Sequence, residues 1–124
     1  DLRDTNMAFA SLNNTILENA KLNNANLNYA IFFNADLQKA DLSNSDIYLA
    51  NFSGSDMSGS KILDVYPYST DFSRVSFSEE TQTNTCLDTD DLSRFLNRLL
   101  RELRQTEFIL TEPLESIIIQ ICKP

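Results

Sequence analysis

Five units follow one another without a break: Ala20-Lys21-Leu22-Asn23-Asn24, Ala25-Asn26-Leu27-Asn28-Tyr29, Ala30-Ile31-Phe32-Phe33-Asn34, Ala35-Asp36-Leu37-Gln38-Lys39 and Ala40-Asp41-Leu42-Ser43-Asn44. Each begins with alanine and carries Leu or Phe third. Working outward, the third position stays apolar through sixteen units: Leu2, Met7, Leu12, Leu17, Leu22, Leu27, Phe32, Leu37, Leu42, Ile47, Phe52, Met57, Ile62, Pro67, Phe72 and Phe77. The first position is Ala, Ser or Thr except at Val65 and Val75, and the second is Asp or Asn in nine of the sixteen units.

A period of five suits no ordinary element. Five residues of α-helix turn about 500°, so the apolar set would wander around the axis. A flat strand would alternate it between faces. All the third positions face inward only if the chain bends at every unit, and four bends of about 90° close a square coil of twenty residues. Sixteen units make four coils, stacked about 4.8 Å apart. Residues twenty apart then form columns. The inward columns are Leu2/Leu22/Leu42/Ile62, Met7/Leu27/Ile47/Pro67, Leu12/Phe32/Phe52/Phe72 and Leu17/Leu37/Met57/Phe77. An outward column, Asp1/Lys21/Asp41/Lys61, alternates in sign, which favours this stacking by tenths of a kcal/mol.

Stretches such as Ala25-Asn26-Leu27-Asn28-Tyr29 and Ala35-Asp36-Leu37-Gln38-Lys39 resemble the A(D/N)LXX motif of the pentapeptide repeat family, over about residues 1–79. The resemblance implies an all-β solenoid, a right-handed quadrilateral β-helix of about four coils, and bacterial, often cyanobacterial, relatives.

The motif falters at Pro67, which cannot donate a ladder hydrogen bond, and stops at Glu80. Residues 80–124 are expected to cover the open coil end, forming one structural unit with the β-helix at 1–79. Residues 81–89 are polar and read as a loop. Leu92, Phe95, Leu96, Leu99, Leu100 and Leu103 follow helical spacing, which predicts a capping helix at about 90–105. Leu114, Ile117, Ile118 and Ile121 after Pro113 predict a second at about 113–121. A disulfide between Cys86 and Cys122 would clamp this cap to the coil; the alternative is two buried thiols.

The chain has 124 residues, enough for one domain, with 18 acidic and 10 basic side chains and a formal charge of −8. That acidity argues against direct binding of nucleic acid. No apolar run approaches the roughly 20 residues of a membrane span. Without histidine there is no histidine metal site and no histidine-based triad, and only two glycines are present, so no phosphate-cradling loop is expected. Neither a cofactor nor a catalytic or metal site is expected. Asp36 and Asp56 should stack one coil apart, and read better as solvated repeat positions than as a carboxylate dyad. Asn13-Asn14-Thr15 and Asn51-Phe52-Ser53 match the glycosylation pattern, a coincidence in an asparagine-rich repeat outside a secretory context. Residue 1 is Asp rather than Met and nothing there resembles a signal peptide. A cytoplasmic location is slightly favoured, and an exported or lumenal one follows if such a segment was removed.

The outward positions carry the functional signal. Phe9/Tyr29/Leu49 and Tyr48/Tyr68 form columns on one side, joined by Tyr66, with Ile31 and Phe33 around the next corner. Contiguous exposed aromatics point to a contact surface, for an unidentified protein or for a second copy in a homodimer. The alternatives are a covering segment of the same chain and simple exposure. The leading reading is a non-enzymatic interaction or structural module. Two alternatives stand beside it, the first implied by the resemblance and the second by the abrupt start at Asp1 and the ending Cys122-Lys123-Pro124. One is a DNA-mimicking protector of DNA gyrase, weakened here because Lys21, Lys39 and Lys61 interrupt the acids. The other is a β-helix domain of a larger secreted effector.

Overall fold

The computed structural model describes residues 1–85 and 87. Its repeating event is a tight turn. In the unit centred on Leu17, the N–H of Ala20 donates to the Leu17 carbonyl at 3.0 Å, and Asn19, third of the four residues, has φ 60°. Positive φ at the third residue alone marks a type II turn. The same left-handed residue recurs every five positions from Asp4 to Arg74, with φ between 53° and 71°. Five of these positions are Asn and two are Gly, the residues that tolerate this conformation best.

The Asp or Asn in second position sets up the turn. Asn26, Asp36, Asp41, Asn51, Asp56 and Asp71 each accept the N–H two residues on, at 2.8–3.1 Å. This is an Asx turn, the reason these residue types precede the core position. First-position hydroxyls close the same turn. Thr5, Thr15, Ser45 and Ser60 donate to the carbonyl three residues back at 2.6–2.7 Å.

Coil joins coil in parallel at a spacing of twenty. Bridges link Asn6 to Asn26, Asn26 to Asp46, Ile31 to Asn51 and Asp36 to Asp56. At each, the third-position N–H donates down the stack, as Leu27 does to the Asp46 carbonyl at 2.7 Å, and the second-position N–H donates up, as Asp46 does to Ala25 at 3.0 Å. Each side of the square holds too few residues for a long strand. Two short strands are the longer pairings among the described residues, β1 (Lys61–Ile62) parallel to β2 (Gln82–Thr83).

Leu22, Leu27, Phe32, Leu37, Leu42, Ile47, Phe52, Met57 and Ile62 are completely buried, with the first-position alanines packed beside them. Phe32, Phe52 and Phe72 stack face to face at 4.8 and 5.3 Å. Leu2, Met7, Leu12 and Leu17 in the first coil, and Phe77 in the fourth, are only partly buried against this core. Among the described residues they have a neighbouring coil on one side.

The structure departs from the simple repeat in three places. Around Pro67, no bridge joins Asp46 to Tyr66, although the bridges from Asn51 to Asp71 and Asp56 to Ser76 resume beyond it. The Thr70 hydroxyl instead donates to the Ile47 carbonyl at 2.7 Å. Beyond residue 79, the stretch expected to be a loop pairs with the coil above. Lys61 partners Gln82, one residue further on than the period requires, so one extra residue is accommodated between Ser78 and Gln82. Thr81 holds that irregularity: its hydroxyl donates to the Met57 carbonyl at 3.2 Å and accepts the N–H of Ser78 and of Gly59. Finally, the alternating column Lys21/Asp41/Lys61 stacks without contact ion pairs. Among the described residues the ion pair is Arg3 with Asp1, at 2.6 Å. Asp41 accepts from Ser43 and Asn23 instead. Leu92, Phe95, Leu96, Leu99, Leu100, Leu103, both expected helices and both cysteines lie outside the described residues.

Candidate functional site

The four sides of the square differ sharply in chemistry. We number them by the first-coil core residue: Leu2 first, Met7 second, Leu12 third, Leu17 fourth. Of the fifteen charged side chains in residues 1–79, the second and third sides hold three, Asp46, Asp71 and Arg74; the first and fourth hold twelve. Eight of the nine exposed large hydrophobic residues lie on the charge-poor pair of sides: Phe9, Tyr29, Tyr48, Leu49, Tyr66 and Tyr68 on the second, Ile31 and Phe33 on the third. The ninth is Ile16, on the fourth side and 82% exposed. The sequence reading passed over Ile16, although its second position in the unit marks it as outward.

The aromatic groups touch one another. Phe9 lies flat on Tyr29 with ring centres 4.7 Å apart, Tyr48 meets Tyr29 edge-on at 5.7 Å, and Tyr66 stacks with Tyr68 at 6.4 Å. The backbone beneath is tied coil to coil. Phe9 donates to the Asn28 carbonyl, Tyr29 to that of Tyr48 and Leu49 to that of Tyr68, at 2.9–3.2 Å. Tyr48 gives its N–H to the Asn28 side chain at 2.9 Å rather than to Asp46.

Phe9, Tyr29 and Leu49 occupy the left-handed turn position, with φ 64°, 61° and 55°. Bulky residues are strained there by about 1–2 kcal/mol. Asn fills the same position at residues 14, 19, 24, 34 and 44. The second-side corner therefore keeps residues that its own backbone disfavours.

The acidic positions do turn chemistry. Asp36 and Asp56 are bridge partners, but each carboxylate is committed to its own turn. Partial burial opposes ionisation of Asp41, yet hydrogen bonds from Ser43 and Asn23 and the charge of Lys61 outweigh it and hold its pKa below the usual value. Asp71 is lowered by hydrogen bonds from the side chain and backbone of Ser73, with help from Arg74. No group of acidic or thiol side chains suited to a metal ion occurs among the described residues, and no described helix is long and apolar enough to cross a membrane.

Comparison with known proteins places this architecture. No curated protein matches the chain. Among solved structures, the chain is similar to a pentapeptide repeat protein from the thylakoid lumen of Arabidopsis thaliana, at 16% identity and TM-score 0.58, covering 94% of this chain and 90% of that one. It is also similar to a pentapeptide repeat protein from Nostoc Pcc 7120, at 18% identity and TM-score 0.57, covering 63% and 79%. A third, from the cyanobacterium Cyanothece 51142, has 26% identity and TM-score 0.42 over 63% and 56%. The model of the family described as pentapeptide repeats matches eight copies over residues 1–38 and 32–62. With a turn every five residues, a partner every twenty and half its length matched, the chain belongs to the pentapeptide repeat family, whose fold is the right-handed quadrilateral β-helix.

Proposed function

We propose that this chain is a non-enzymatic module that presents its aromatic second and third sides to a protein partner. The observation that carries this is the placement of Phe9, Tyr29 and Leu49 at left-handed positions on the charge-poor side of an acidic rod. Bulky apolar residues kept at strained, outward turn positions support a functional reading. Depletion of charge with enrichment of aromatics is the composition of an interface core. The gyrase-protecting alternative has less support, because Lys21 and Lys61 alternate with Asp41 on the first, most charged side and break up the acidic face a DNA mimic needs.

A photo-crosslinking amino acid at Tyr48, compared with one at Gln38 on the fourth side, tests the reading in the source cells. Adducts formed from position 48 and not from 38 are expected. Equal adducts from both positions, or none from 48, would remove the proposed surface.

A further inference from the structure

We infer that the partner of the aromatic side is a second copy of this chain, docked face to face; this rests on the interaction reading above. Charge narrows the choice first. The first and fourth sides carry eight acids and four bases, so a basic partner would be drawn there and not to the aromatic side. The second and third sides carry one net negative charge, and above Tyr66 their single charged residue is Asp46. A partner for this surface must itself be apolar, aromatic and nearly uncharged. The chain owns such a surface, and among the sides of the described coil it is the approach that keeps the charges of two molecules of charge −8 apart.

Geometry agrees. The Phe9 and Tyr29 rings repeat at 4.7 Å, set by the coil spacing, and a second copy offers a ladder of the same repeat. A two-fold arrangement makes such a surface complementary to itself. The backbone beneath is already tied coil to coil, so docking orders only side chains. Area is sufficient. Given their fractional exposures, the six second-side residues offer roughly 600 Å² per copy, or about 1,200 Å² in the pair, at the lower end of the ~1,200–2,000 Å² of stable interfaces.

Sedimentation equilibrium of the full chain decides it. The wild type is expected at about twice 14.1 kDa. Added salt should tighten the dimer, because it screens the net repulsion and the interface has few ion pairs to lose. The pair Tyr29→Asp and Leu49→Asp should weaken association at least tenfold with an unchanged circular dichroism spectrum. Asp already occupies the same left-handed position at residues 4 and 64. Lys39→Asp, at that position on the fourth side, should leave the dimer intact. If the Asp pair fails to fold, Tyr29→Asn with Leu49→Asn reads the same contact. A wild-type monomer, a dimer that survives either double variant, or one that salt dissociates would overturn the inference. A monomer whose position-48 crosslinker still captures other proteins would sink self-association and spare the interaction reading; a monomer without adducts would sink both.

Discussion

Phe52→Ala probes the principle of the fold. Phe52 is completely buried, with Phe32 above it at 4.8 Å and Phe72 below at 5.3 Å. Deleting a buried phenylalanine costs about 3–5 kcal/mol through lost transfer energy and a residual cavity. Two ring stacks, each worth about 0.5–1.5 kcal/mol beyond area, go with it, which favours the upper end. The cavity will not collapse readily, because the surrounding wall is fixed by coil-to-coil hydrogen bonds such as Phe52 N–H to the Asp71 carbonyl at 2.8 Å. Leu12 stands in the same column but in the first coil, and is only partly buried. Leu12→Ala should therefore cost about half as much or less, ~1–2 kcal/mol. With a urea slope of about 1–3 kcal/mol/M, Phe52→Ala lowers the denaturation midpoint by roughly 2 M and Leu12→Ala by under ~1 M. Urea titration followed by circular dichroism reads both. Equal shifts for the two, or a loss below ~1 kcal/mol for Phe52→Ala, would refute a stacked core whose energy depends on having a coil on both sides.

Three further outcomes follow from the polar wall. Among the described residues the Ser55 hydroxyl is buried without a partner, whereas the Ser60 hydroxyl donates to Met57 at 2.7 Å. Ser55→Ala should be neutral or stabilising and Ser60→Ala should cost about 1 kcal/mol in the same titration. Asp41 and Asp71 have folded pKa values below the ordinary 3.8, so the unfolded chain binds more protons as both titrate. Their stabilisation is present above that value and is lost as pH falls through the folded values; Asp41→Asn should flatten the acid limb of melting temperature against pH. Thr81→Val leaves the Met57 carbonyl and two N–H groups without the hydroxyl that joins them, and should cost about 1–3 kcal/mol, measured by urea midpoint.

The five-residue spacing by itself determined the square coil, the twenty-residue columns and the identity of the core, because inward and outward positions are distinguished by apolarity alone. It also determined which aromatics lie on one side, since columns follow arithmetically from the period. The purpose of Asp and Asn in second position was not legible: it lies in an acceptor bond to an N–H two residues on, a matter of side-chain direction. The strain at Phe9, Tyr29 and Leu49 was equally hidden, because the period marks those positions as outward and says nothing of the sign of φ. Tertiary structure alone showed the pairing of Gln82 with Lys61, where no motif survives to be read and Thr81 fills the mismatch with one hydroxyl. It alone settled that Lys21, Asp41 and Lys61 stack without contact pairs, because nearby donors reach the Asp41 carboxylate first. Local sequence sets a bend wherever the same turn recurs. Where the repeat breaks, the register depends on which distant groups come within hydrogen-bonding reach, and only the folded coil brings them together.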